Sequence, residues 1–344
     1  MKGVNLLDCK APESVLFDLS GAGGNDSSVS VAHLSVAGAS GKTLWASTGI
    51  YQTEFRNVNI TNSDFTVVMQ ASRYGNLLAN GWNVSDVLTE QFFSFKVSDY
   101  AGKTVLDRFV AKRIGVQHVP TLNYFLAGGW DVVLSNFHAE SIHFGAESLI
   151  SSQNLLVVDS TFTLLQGTSL FQSVILLLER DLFQTIQTYG PVSTGNSLSI
   201  QDISITVSAF TSFFQGKVFQ DEITVHRLSM DNVGCTHFLE MLECGFTNIS
   251  ISDVNITETT IGLEPNSNQP SLVFCILKQP EVNLKISGIR MQNSHREYVD
   301  LNGWFVSQRE SSIDQFLLVS AKCLHNHNRF YFRRCSLWGP AQSL

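Results

Sequence analysis

The chain has 344 residues, of which 44% are hydrophobic and only 15% charged, with a formal net charge of −8; ordinary soluble chains carry about 25% charged residues. An acidic balance without a Lys/Arg-rich run excludes a surface that tracks a phosphate backbone, and the high apolar content excludes a disordered chain. No apolar segment reaches the roughly 18 residues of a membrane-spanning helix, and 24 Phe among many Ser, Thr, Val and Ile suit stacked β-strands.

In chain order, Met1–Asp8 lacks the apolar core of a secretory signal, so an exported protein would stand here as a mature or truncated chain. Val15-Leu-Phe-Asp-Leu19 reads as strand, and the glycine-rich Gly21-Ala-Gly-Gly24 as the turn after it. An eight-residue pattern then begins: apolar, any, apolar, two polar, apolar, any, apolar. Its copies start at Val29, Thr53, Val132, Leu155, Leu198, Ile223, Ile249, Leu284 and Phe330. Apolar residues two apart share a strand face, and the three-residue step in the middle breaks that alternation. The chain must bend there to keep both halves pointing inward.

A further strand is expected about 15 residues after the start of a copy, at Thr43-Leu-Trp45, Ser169-Leu-Phe171, Ser212-Phe-Phe214 and His237-Phe-Leu239. The spacing predicts an all-β solenoid, a right-handed parallel β-helix of about 22–25 residues per coil. A leucine-rich-repeat solenoid is the alternative, disfavoured because residues such as Ala39, Ser63 and Ser208 stand where an inward Asn is needed. The interval from 53 to 132 should hold weaker coils, one near Phe92–Phe95. That from 155 to 198 should hold one carrying Glu179-Arg-Asp181. The long step after Ile249 calls for a loop insertion near 262–280, where Gly and Pro are dense. One β-helix domain, 1–344, is expected, with clear coils over 29–337. Neither end shows a cap, which points to a longer protein or to a partner, another copy included, at the ends.

Phe55-Arg-Asn-Val-Asn-Ile-Thr-Asn-Ser63, Phe246-Thr-Asn-Ile-Ser-Ile251 and Val254-Asn-Ile-Thr257 resemble the repeats of pectin-lyase-like right-handed β-helices, especially large protist surface proteins and polymorphic outer-membrane-type proteins. The resemblance implies the fold and a cell-surface setting; it implies no particular activity. Many such helices cleave acidic polysaccharides, using paired Asp residues, Gly-His-Gly and Arg-x-Lys elements, or clustered carboxylates holding calcium. None of these motifs is present, so no catalytic residue is assigned.

The nearest approach to a site is the fifth position of the pattern, where Asp159, Asp202, Arg227 and Asp253 follow Asn57 and Asn136 and precede Arg334. As a groove this column would bind calcium or a sugar acid. As a ladder of alternating sign it would limit like-charge repulsion between coils, and an Arg between two Asp residues suits the ladder. No cofactor is otherwise implied. His325-Asn-His327 lacks a third metal ligand, and the six widely spaced cysteines exclude a zinc site, leaving buried thiols or up to three disulfides. Five Asn-x-Ser/Thr sequons occur, at Asn25, Asn59, Asn83, Asn248 and Asn255; Asn59 and Asn255 share one repeat position between inward apolar residues and should face outward. The resulting expectation is a non-catalytic extracellular or cell-surface scaffold for structure or adhesion. The alternatives are a polysaccharide lyase or hydrolase, and a glycan-binding module using Trp45, Trp82, Trp130 or Trp304 as platforms.

Overall fold

A computed structural model describes residues 2–20, 27–72, 75–96, 102–117, 119–120, 122–145, 148–173, 197–216, 222–244, 247–261, 271–277, 281–292, 299–301, 315–323 and 330–332, with side-chain detail confined to residues before 260. The chain is a parallel β-solenoid, and no helix occurs among the described residues. The first residue of the pattern stacks on its counterpart in one unbroken series: Val29 on Thr53, then Leu77, Thr104, Val132, Leu155, Leu198, Ile223, Ile249 and Leu284.

This register bears out the coils expected between 53 and 132 and corrects two other expectations, a coil between Leu155 and Leu198 and one at Phe330. The interval from 53 to 132 holds two coils, starting at Leu77 and Thr104, and Phe92–Phe95 belongs to the first of them. Leu155 stacks directly on Leu198, so no coil lies between them despite a separation of 43 residues. Glu179-Arg-Asp181 lies outside the described residues. The pattern at Phe330 is no further coil. Its strand Phe330–Phe332 runs antiparallel to Gln315–Cys323, which runs antiparallel along Glu281–Gln292 and covers the last parallel leading strand. The 262–280 insertion contains the strand Ser271–Leu277, which stacks on His237–Cys244. The other leading strands from Val29 to Ile249 start 23 to 28 residues apart, and the first coil stands 30 residues before the second.

One coil shows why the sequence folds this way. Within the strand Gln52–Ser72, the residues Thr53, Phe55, Val58, Ile60, Ser63 and Phe65 are all buried. Asn57 and Asn62 adopt positive φ, 55° and 47°. Each left-handed residue adds one odd step to the period-two alternation and turns the chain, so the next residue points inward again. Counting from the first residue of the pattern, position five is the corner the spacing revealed; position ten is a second one of identical kind. Among the described residues, every non-glycine residue of positive φ belongs to one of these two columns. The first holds His33, Asn57, Arg108, Asn136, Asp159, Asp202, Arg227 and Asp253; the second holds Asp8, Asn62, Asp86, Arg113, Ser141, Leu164, Val207, Asn232 and Glu258.

The corners interrupt the hydrogen-bond ladder, and inward hydroxyls repair it. Ser63 Oγ accepts from the Ala39 N–H at 3.2 Å and donates to the Thr61 carbonyl at 2.8 Å. Ser160, Ser208 and Thr259 do the same for the N–H groups of Phe137, Leu165 and Val233. The third strand, about 15 residues into each coil, stacks as expected: Thr43 on Val67, Ser169 on Ser212, Ser212 on His237. Inside, aromatic rings follow the coil spacing of about 4.8 Å. Phe92 and Phe125 stack at 4.7 Å, as do Phe213 and Phe238, and Phe109 stacks between Trp82 and Phe137.

Candidate functional site

The first corner column is built by backbone geometry before any chemistry. Left-handed φ costs an ordinary L-residue about 1–2 kcal/mol, and Asn, Asp and Gly bear it best. That accounts for Asn57, Asn136, Asp159, Asp202 and Asp253, and for the three glycines of the column, Gly3, Gly81 and Gly288. At Gly288 a Cβ atom would stand 2.8 Å from Asp253 Oδ1, a contact the acidic side chain could relieve by turning, so the positive φ of 61° is what favours glycine there.

The pairings Val158–Gln201 and Ser160–Ile203 set Asp159 beside Asp202, and those of Gln201 with His226 and His226 with Ser252 set Arg227 and Asp253 next in line. All four residues named for the site are therefore consecutive on one edge. Arg227 grips Asp202 with two bonds, Nε to Oδ1 at 2.5 Å and Nη2 to Oδ2 at 2.6 Å. That grip, helped by a hydrogen bond from Gln201, holds the Asp202 carboxyl down at about 2. Arg227 Nη1 donates to His226 Nε2. The other ring nitrogen of His226, Nδ1, lies 2.8 Å from Ser252 Oγ and 3.2 Å from Asp253 Oδ2. The Arg227 guanidinium thus closes on Asp202 and on His226.

Two sites of the same logic were not foreseen. Asp107 accepts from Asn80 at 2.8 Å, Ser135 at 2.8 Å and Asn136 at 3.1 Å, and lies beside Arg108. Partial burial raises its pKa, but these donors outweigh that and leave it below the ordinary carboxylate value. In the second column Arg113 binds Asp86 bidentately at 2.6 and 2.7 Å and lowers its pKa. Asp131 differs: burial raises its pKa, against a hydrogen bond from Asn154 at 2.8 Å. No group of three or more His, Cys, Asp or Glu suited to a metal occurs among the described residues.

Trp45 and Trp82 are buried, each 3% exposed, and offer no platform to a sugar; the side chains of Trp130 and Trp304 lie outside the description. Cys9 and Cys235 are free thiols, which rules out three disulfides, and burial pushes the Cys235 thiol up to about 12. Among the sequons, Asn59, Asn83 and Asn255 sit at position seven of their coils, facing outward between buried neighbours, and Asn248 is exposed near the start of the strand Thr247–Thr257. Asn25, Arg334 and His325-Asn-His327 lie outside the described residues. A shallow groove of about 470 Å³ follows the second column, lined by Leu164, Val207, Ala209 and Gly234 among others. Leu164 and Val207 are 46% and 48% exposed there, both with left-handed φ. Their apolar character hid the second corner from the sequence, since neither is a residue type that favours that conformation.

Compared with protein-family models, curated proteins and solved structures, the chain matches none.

Proposed function

We propose that the chain is a non-catalytic structural or adhesive scaffold of an extracellular or cell-surface glycoprotein, related in its repeat grammar to the pectin-lyase-like β-helices. One observation carries this reading: the corner column, where a β-helix enzyme or calcium site would have to be sought here, is occupied by conformation and internal pairing. Asp159 and Asp202 are adjacent, as a hydrolase would require, but Asp202 is bound bidentately and its pKa of about 2 keeps it an anion at any physiological pH. A general acid needs a raised pKa, and glycoside hydrolysis needs two carboxylates spanning a scissile bond at about 5–10 Å. Calcium would compete with Arg227 for the same oxygens. Regular ladders along the remaining edges suit a rigid rod whose surfaces contact partners.

Incubation with acidic polysaccharides, with and without calcium, is expected to release neither reducing ends nor unsaturated products. Turnover abolished by Asp159→Asn or Asp202→Asn would overturn the scaffold reading in favour of a lyase or hydrolase.

A further inference from the structure

The sequons Asn59-Ile-Thr61 and Asn83-Val-Ser85 lie 24 residues apart in the chain and side by side in the fold. Asn59 pairs with Asn83 and Thr61 with Ser85 in the ladder. Asn59 stands between the buried Val58 and Ile60, and Asn83 between the buried Trp82 and Val84, so both amides face outward from the same strand face. They touch: Asn83 Nδ2 donates to Asn59 Oδ1 at 3.2 Å. Asn255 occupies the same repeat position between buried Val254 and Ile256, but its ladder neighbours are Ser229 and Arg290. It is a sequon of the same geometry without a sequon beside it.

We propose that Asn59 and Asn83 form one modification site that carries a single N-linked glycan, whereas Asn255 carries its own. This rests on the secreted-glycoprotein reading above. In the transfer, an asparagine Nδ2 bonds to the anomeric carbon of an oligosaccharide held on a lipid pyrophosphate. The lipid pyrophosphate leaves with the electron pair of the broken bond, and one amide proton is lost to base. On an unfolded chain the two sequons are independent acceptors. Coil closure then brings their nitrogens to about one strand spacing, roughly 4.8 Å, where two branched sugar stems would have to leave the same face in parallel. A doubly modified chain therefore opposes the pairing of strands Gln52–Ser72 and Asn76–Lys96, and the folded, exported protein is the singly modified one.

The test is intact mass and tryptic glycopeptide mapping of the chain secreted from eukaryotic cells; Arg73 lies between the two sequons, so trypsin separates them. The expected result is one glycan per molecule shared between Asn59 and Asn83, plus an independent one at Asn255. Thr61→Ala should move the shared glycan wholly to Asn83, and Ser85→Ala wholly to Asn59, each with the number of glycans per molecule unchanged. Both variants keep the Asn–Asn contact. Molecules with glycans on both Asn59 and Asn83, or with Asn255 modified and the pair empty, would overturn the proposal while leaving the glycoprotein reading intact. A secreted chain bare at Asn255 as well would overturn that reading and the proposal with it.

Discussion

Asp202 and Val207 stand five residues apart at the two corners of one coil, and both have left-handed φ, 56° and 46°. Asp suits that conformation; a β-branched residue does not. Val207→Asn is therefore expected to stabilise the fold by about 1 kcal/mol, read as a raised midpoint in chemical denaturation; an unchanged or lowered midpoint would show that Val207 has a compensating contact. Asp202 makes a pH prediction. Its pKa is lowered in the fold, so its stabilising contribution is complete above the ordinary value of 3.8 and is lost as pH falls toward about 2. Arg227→Gln removes the main cause, and carboxyl titration by NMR should then place Asp202 back near the ordinary carboxylate range. A carboxyl still near 2 in that variant would remove the Arg227 grip as the explanation.

At the scale of the element, the five-residue module of two inward residues and a left-handed corner explains what was legible in the sequence. The first corner could be read because Asn and Asp recur at position five and because apolar residues flank it in a three-residue step. The second could not, because Ser141, Leu164, Val207 and Glu258 share no chemistry and inward Ser or Thr follows in several coils. The coils at Leu77 and Thr104 keep the same pattern, with Trp82 and Phe109 as the inward residue after the bend and Gly81 and Arg108 within it, so their exact starts were legible in the sequence as well. The hydroxyl repair of the ladder gives a paired prediction. Ser208→Ala strands the buried Leu165 N–H and should cost about 1–3 kcal/mol. Ser169→Ala removes an equally buried hydroxyl with no partner among the described residues and should cost less than 1 kcal/mol or stabilise. Equal losses in the two variants, measured by denaturant titration, would refute the repair role.

At the scale of the molecule, period arithmetic failed where it mattered for the site. The 43-residue step from Leu155 to Leu198 is close to two short coils, so counting placed an extra coil between Asp159 and Asp202, whereas the ladder joins them directly. The pattern at Phe330 failed for the opposite reason: an antiparallel strand alternates its side chains as a parallel one does, and only its pairing tells them apart. The polar column is thus a continuous corner of an uninterrupted stack, and its carboxylates are parts of that corner. Cross-linking tests this most directly. A disulfide needs Cα atoms about 4.4–6.8 Å apart, which adjacent coils meet and coils two apart do not. The double variant Asp159→Cys with Asp202→Cys should form that disulfide on mild oxidation, identified by peptide mapping, while Asp159→Cys with Arg227→Cys should remain reduced. A bond in the second variant and none in the first would contradict the stack described for this column.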